Sequence, residues 1–75
     1  MPPSQIERIY ANCEIIWGKG PYNVHLETAD LDTFRAVVRK GFGISPQPPL
    51  TMTGFCASMD HAWIELDYML WLWVE

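Results

Sequence analysis

The sequence predicts a small α+β domain in which one main helix packs on one face of a small antiparallel β-sheet. Two observations favour this class. An apolar stripe with helical spacing lies between Asp30 and Gly41, whereas residues 62–75 alternate between two faces as a strand does. The length suits one domain, 1–75, and an apolar content of 49% is too high for a disordered chain. The predicted order is ββαββ-like, or αβαββ if residues 5–17 are helical.

The N-terminal segment supports two interpretations. Ser4 and Glu7 have the spacing of a capping box, and the apolar residues that follow recur at helical intervals, which indicates a helix over residues 5–17. The residues on either side of the turn "GKGP" also alternate between apolar and polar, which indicates a β-hairpin within residues 12–27. Because β-branched and aromatic residues crowd this turn, we expect a short helical turn over residues 4–10 followed by the hairpin.

The segment "ADLDTFRAVVRKGFG" predicts the main helix. Asp30 can cap its N-terminus, and Gly41 suits a left-handed conformation at its C-terminus. The stripe that would face the sheet comprises Leu31, Phe34, Val37 and Val38. The prolines of "ISPQPPL" then predict a loop, and alternation in "LTMTGFCAS" predicts a strand within residues 50–56.

The C-terminal segment predicts a strand whose even-numbered residues, from Ile64 to Val74, face the core. The opposite face begins acidic and ends aromatic. The predicted partner-binding residues on it are Trp63, Glu65, Asp67, Met69, Trp71 and Trp73. Trp is common at the centre of protein interfaces, and a fold with one helix has no second layer to cover this face. Burial of the tryptophans beneath a second layer, such as the N-terminal segment, is the alternative.

The charge balance indicates the kind of partner. Five Lys and Arg residues against nine Asp and Glu residues give a net charge of −4, the wrong sign for binding a phosphate backbone. The stretch Lys40–Gly43 matches the opening of an RNA-recognition motif, but Ile44 replaces the next aromatic residue and Pro46 interrupts any central strand. We therefore expect a protein partner with a basic surface and no direct binding of nucleic acid.

No segment carries a catalytic signature, so the sequence predicts a protein that is not an enzyme and uses no cofactor. Cys13 and Cys56 form no CxxC pair and are expected to be reduced, buried thiols. His61 and Glu65 would stand about 13 Å apart along a strand, so no metal site is expected. The segment "MPPSQIERIY" lacks the features of a secretory signal, and the apolar run "YMLWLWV" is shorter than a membrane span. These features predict a cytoplasmic location without membrane association.

In size, charge and predicted architecture, the chain resembles small phage-encoded inhibitors of bacterial machinery, including anti-CRISPR proteins. Those inhibitors share no common motif, so the resemblance assigns no residue a role. The segment "LDTFRAVVRKGFGI" is in addition similar to the helix of barstar-type nuclease inhibitors. Both resemblances imply occlusion of a larger target that handles nucleic acid.

The expected function is therefore inhibition of such a target by a small acidic interaction protein. Carboxylates expected to meet Lys and Arg of the target are Glu27, Asp30, Asp32, Glu65 and Asp67. The alternative is a structural homodimer joined through the C-terminal strand, in which Trp71 and Trp73 bury against a second copy.

Overall fold

The computed structural model describes residues 4–30, 32–41 and 48–74 and has an α+β fold. The elements are α1 (Gln5–Trp17), β1 (Tyr22–Ala29), β2 (Thr33–Lys40), β3 (Thr51–Met52) and α2 (Met59–Val74). The strands form one antiparallel sheet in the order β1-β2-β3. The predicted fold class is confirmed, but the element order is αβββα because three elements of the ββαββ-like order, the first, third and fifth, have the other secondary structure.

Helix α1 follows the first of the two interpretations of the N-terminal segment, a helix over residues 5–17, and the expected short turn with a hairpin is wrong. The Ser4 side chain accepts a hydrogen bond from the Glu7 backbone N–H at 3.3 Å, while its hydroxyl donates to the Glu7 carboxylate at 3.1 Å. Ile9 and Cys13, one turn apart, are both fully buried. Gly18 ends the helix at a φ of 91°, which favours glycine. The cap and the buried stripe together extend the helix through the segment predicted to be a strand.

The predicted main helix between Asp30 and Gly41 is wrong, because residues 33–40 form strand β2. All eight residues pair with β1, from Tyr22 opposite Lys40 to Ala29 opposite Thr33. The stripe of Phe34, Val37 and Val38 fits a helix, but the same segment also alternates, with Phe34, Ala36 and Val38 packed in the core. Adjacent β-branched valines favour the strand. Leu31, the remaining residue of the predicted stripe, lies outside the described residues.

Asp30 and Gly41, which were predicted to cap a helix, instead lie just before and just after this strand. Asp30 lies in the turn between β1 and β2 with a φ of 57°, a left-handed conformation that Asp tolerates. Gly41 follows β2 with a φ of 92°, and its N–H donates to the Pro21 carbonyl at 2.7 Å. Of the loop predicted at residues 44–50, residues 44–47 lie outside the described residues.

The strand predicted within residues 50–56 is confirmed over a shorter length. Only Thr51 and Met52 pair with β2 as a regular strand. The Thr53 hydroxyl then accepts the Ala36 N–H at 3.0 Å in place of a strand carbonyl. Cys56 restores pairing through two backbone hydrogen bonds with Phe34, of 2.8 and 2.6 Å. The Thr53 side chain thus bridges an interruption in the ladder.

The C-terminal segment is helix α2, so the predicted strand is wrong. Ser58 caps the helix, since its hydroxyl accepts the His61 N–H at 3.1 Å. Ala62, Leu66 and Leu70, spaced four residues apart, are fully buried and face the core. Even-numbered residues between them are exposed, as the helical period requires.

The two helices form one layer over the sheet and run in the same direction. Arg8 meets Asp67 near the middle of α2, and Trp17 meets Trp73 near the C-terminal ends of both helices. The core lies between this layer and the sheet face that carries Tyr22, Val24, Leu26, Phe34, Ala36 and Val38. The other sheet face carries mainly polar and charged side chains, together with the fully buried Val37.

Candidate partner-binding surface

Helix α2 presents a second apolar side to solvent, which we term the aromatic face: Ile64, Tyr68, Trp71 and Leu72. These side chains are 58%, 55%, 50% and 47% exposed, respectively. At 3.6 residues per turn they lie next to one another on the helix, on the side away from Leu66 and Leu70. The helix is therefore apolar on both sides, although only one side packs against the core.

A shallow groove of about 250 Å³ runs beside the aromatic face, between α1 and α2. Its walls comprise Ile64, Tyr68 and Trp71 of the aromatic face together with Arg8, Asn12 and Asp67. Arg8 Nη2 lies 2.8 Å from Asp67 Oδ2, and this ion pair joins the two helices. The hydrogen bond to Asp67 raises the pKa of the Arg8 guanidinium. The groove thus combines apolar walls with one charged pair.

The aromatic rings along α2 make two different contacts. Tyr68 and Trp71 stack with ring centroids 6.1 Å apart and an interplanar angle of 25°. Trp73 instead meets Trp17 of α1 edge to face, with centroids 6.2 Å apart. Tyr68 and Trp71 thus contact each other within the aromatic face, whereas Trp73 contacts the other helix.

The structure does not bring the six predicted partner-binding residues together on one face. Positions 63, 67 and 71 lie on one side of α2, whereas positions 65, 69 and 73 lie about 200° further round the helix. Asp67 and Trp71 line the groove, and Trp63 lines a separate pocket of about 300 Å³ with Gln5, Ile6 and Ile9. Glu65 and Met69 are half-buried, and Trp73 contacts Trp17. The strand that would have placed all six residues on one face is wrong because this segment is a helix, while their role in partner binding stays a prediction.

The residues missed by the sequence prediction are those assigned to the buried face. Ile64, Tyr68 and Leu72 were placed in the core by their even numbers, and all three are about half exposed. Their spacing with Trp71, at i, i+4, i+7 and i+8, is a helical signal present in the sequence. Arg8 and Asn12 come from a distant segment and carry no sequence signal that links them to α2.

The outer face of the sheet carries a cluster of ionic contacts centred on Glu27. Arg35 donates to Glu27 Oε1 at 2.9 and 2.7 Å, and Arg39 lies 3.6 Å from Oε2. His25 Nε2 lies 3.5 Å from the same carboxylate. The hydrogen bonds from Arg35 hold the pKa of Glu27 below its ordinary value, and the neighbouring His25 acts in the same direction. Arg35 also lies over the Phe55 ring at 4.9 Å.

The thiols and potential metal ligands offer no comparable site among the described residues. Cys13 and Cys56 are both free and buried, and burial raises the pKa of Cys13 to about 11. A thiol with so high a pKa is a poor nucleophile at neutral pH. The described ranges hold no group of three His, Cys, Asp or Glu side chains placed to bind a metal ion. Phe42 and Gly43, which the partial RNA-recognition pattern requires, lie outside these ranges.

Within the described part of the chain, neither helix has the length and apolar character needed to cross a membrane. No family model, curated protein or solved structure matches this chain.

Proposed function

We propose that this chain is a small acidic interaction protein that binds a larger protein through the aromatic face of α2. The observation that carries the proposal is four adjacent large apolar side chains, each about half exposed, on a helix whose opposite side already forms the core. Contiguous exposed apolar surface of this kind marks interaction sites in soluble domains. The stacked pair of Tyr68 and Trp71 supplies the rigid aromatic contact area typical of interface hot spots.

The charge of the helix layer indicates the partner's chemistry. The two helices carry five carboxylates against Arg8, a net charge of −4; the carboxylates belong to Glu7, Glu14, Asp60, Glu65 and Asp67. The strands carry Arg35, Arg39 and Lys40 against Glu27, a net charge of +2. A partner with a basic surface around an apolar centre complements the helix layer, whereas a second copy would bring two layers of −4 together.

The same charge supports inhibition as the mode of action. An apolar site rimmed by Lys and Arg is common where a protein holds nucleic acid, since cations bind phosphates and aromatic or apolar groups contact bases. Carboxylates such as Asp60 and Glu65 can take the place of the phosphates while the aromatic face covers the apolar centre. We therefore assign the chain the role of occluding a nucleic-acid-handling protein, in the manner of the phage inhibitors it resembles.

The test combines capture with displacement. Tagged wild-type chain, Trp71→Ser and Phe55→Ser are used to capture proteins from a bacterial lysate, and Phe55 is the matched control because it is an exposed aromatic side chain outside the helix layer. A captured protein counts as a partner if Trp71→Ser weakens its affinity by about thirtyfold, a common hot-spot effect, while Phe55→Ser does not. The purified partner should then lose bound nucleic acid as wild-type chain is added.

Three results would count against the proposal. Equal capture by wild type and Trp71→Ser would place the binding surface elsewhere. Sedimentation equilibrium that shows a dimer dissociated by Trp71→Ser would mean that a second copy occupies the aromatic face. Retention of nucleic acid by a partner that meets the capture criterion would leave binding intact and overturn inhibition.

A further inference from the structure

Strand β1 forms a long free edge of the sheet. The sheet order places β1 and β3 at the two edges, and β3 has two residues whereas β1 has eight. No strand of the described ranges pairs with the outer side of β1. An uncovered edge of this length is a template for pairing with another strand.

The hydrogen bonds of the sheet show which backbone groups point outward from this edge. The Gly41 N–H donates to the Pro21 carbonyl, so residues 21 and 41 form a hydrogen-bonded pair. In an antiparallel ladder, hydrogen-bonded pairs alternate with pairs that are not hydrogen-bonded. The odd-numbered residues of β1 therefore direct their N–H and C=O groups toward β2. The N–H and C=O groups of Val24, Leu26 and Thr28 therefore point to the free edge.

Within the described residues, strand β1 has neither an edge proline or lysine nor a bulge, which are common protections against pairing. Between Tyr22 and Ala29 the chain contains no proline or lysine, and every residue pairs in continuous register with β2, so no bulge twists the edge away. On the helix side of the sheet, Val24 and Leu26 are half-buried apolar residues of the edge itself. An added strand would cover them and extend the core.

We propose that β1 pairs antiparallel with β1 of a second copy, joining two three-stranded sheets across a two-fold axis at Leu26. In this register Leu26 lies opposite Leu26 of the second copy, and Val24 lies opposite Thr28. The outward N–H and C=O groups of three residue pairs then bond to each other, about six hydrogen bonds in total. On the outer face, His25 lies opposite Glu27 of the second copy, and Glu27 opposite His25.

Charge and symmetry favour a second copy as the occupant. A register centred one residue later would place Glu27 against its own copy, whereas the register centred on Leu26 sets each carboxylate against an imidazole. A two-fold axis makes the same edge serve both partners, so each hydrogen bond formed is formed twice. The aromatic face takes no part in this contact, so the dimer would present two copies of it, and the inference stands independently of the proposed function.

Amide hydrogen exchange by NMR across a dilution series tests the proposal on the unmodified protein. The N–H groups of Val24, Leu26 and Thr28 should become protected as concentration rises, in step with dimer formation measured by sedimentation equilibrium. The N–H groups of Asn23, His25 and Glu27 point to β2 and should be protected at every concentration. A chain that stays monomeric from micromolar to millimolar concentration, without added protection at the three outward amides, would overturn the pairing.

A matched pair of variants tests the edge chemically. Thr28 is exposed and its N–H points outward, so Thr28→Pro removes an edge donor without removing a bond to β2. Thr28→Val makes a similar side-chain change and keeps the donor. Thr28→Pro should raise the dimer dissociation constant tenfold or more, on the order expected for two lost hydrogen bonds, whereas Thr28→Val and Trp71→Ser should leave it unchanged.

Several outcomes would contradict pairing through the edge of β1 or change its occupant. Equal dimerisation of Thr28→Pro and Thr28→Val would contradict pairing through this edge, as would loss of the dimer in Trp71→Ser. Protection of the three amides that appears only when another protein is added to monomeric chain would replace the second copy with an extended segment of that protein. If Thr28→Pro fails to fold, the exchange series decides the matter alone.

Discussion

Thr53→Val removes a hydroxyl on which the interrupted ladder between β2 and β3 depends. The hydroxyl accepts the Ala36 N–H at 3.0 Å and donates to the Gly54 carbonyl at 2.8 Å. Valine has nearly the same shape but no hydroxyl, so the substitution removes both bonds and leaves the Ala36 N–H without an acceptor.

The cost follows from where each bonding partner lies. Ala36 is fully buried, so its N–H loses its partner without access to water, a penalty of about 1–3 kcal/mol. Gly54 is exposed, so water can replace the hydroxyl at its carbonyl. We therefore expect Thr53→Val to lower the free energy of unfolding by about 1–3 kcal/mol, out of a total of roughly 4–11 kcal/mol for a chain of this length.

Urea unfolding followed by circular dichroism measures this difference, with Thr51→Val as the control. Thr51 lies two residues away on β3 and is half-buried, and its substitution should change stability by less than about 0.5 kcal/mol. Equal urea midpoints for wild type and Thr53→Val would contradict this expectation, because they would show that the Ala36 N–H does not depend on the hydroxyl.

Three further predictions follow from burial and charge. Leu70→Ala should lower the free energy of unfolding by about 2–5 kcal/mol, measured by thermal or urea unfolding, because Leu70 is fully buried. Leu72→Ala should lower it by less than about 1 kcal/mol because Leu72 is half exposed. Equal losses would contradict the assignment of this segment to helix α2. Because burial raises the pKa of Cys13 to about 11, the thiol ionises at lower pH in the unfolded chain than in the folded one. The contribution of this thiol to stability should be present below pH 9 and fall by about 2–3 kcal/mol as the pH rises to about 11. Cys13→Ala should show a shallower decline with pH, and identical profiles would contradict the burial of the thiol. Because the pKa of Glu27 is lowered in the folded chain, the contribution of its carboxylate to stability is present above pH 4.5 and is lost as the pH falls through the folded-state pKa. Glu27→Gln should therefore lose less stability than wild type as the pH falls below 4.5. An equal loss in both proteins would contradict the ion pairs of Glu27 with Arg35 and Arg39.

The sequence predicted the parts of the fold that local chemistry determines. The capping box of Ser4 and Glu7 was a correct marker of the start of α1, although the favoured interpretation ended the helical turn near residue 10 and the helix continues to Trp17. The fold class was predicted correctly even though the main helix and the C-terminal strand were exchanged. Both segments have sequences that satisfy two periods at once, so pattern alone could not choose between them.

The choice in each segment depends on contacts between distant parts of the chain. In β2, pairing with β1 along all eight residues outweighs the helical stripe of Phe34, Val37 and Val38. In α2, the Ser58 cap and the buried residues Leu66 and Leu70 favour the helix, although the even-numbered residues from 62 to 74 are all apolar.

The same ambiguity explains the partial prediction of the candidate site. Asp67 and Trp71 were predicted and do line the groove. They are four residues apart, so they lie on the same side of the segment whether it is a strand or a helix. Ile64 and Tyr68 were missed because a strand would have buried them. Arg8 could not be predicted, since its position beside Asp67 requires the parallel arrangement of two helices that are far apart in sequence.

Site-specific photo-cross-linking tests the central claim that the aromatic face of α2 binds a partner. A photoreactive residue at position 72 in place of Leu samples this face without replacing Trp71, and one at position 52 in place of Met samples the outer face of the sheet as the control. Both variants should keep the wild-type fold by circular dichroism. We predict that position 72 cross-links in a bacterial lysate to one larger protein with a basic surface and that position 52 does not. Cross-links from position 72 only to a second copy of the chain, or equal yields from both positions, would contradict the claim.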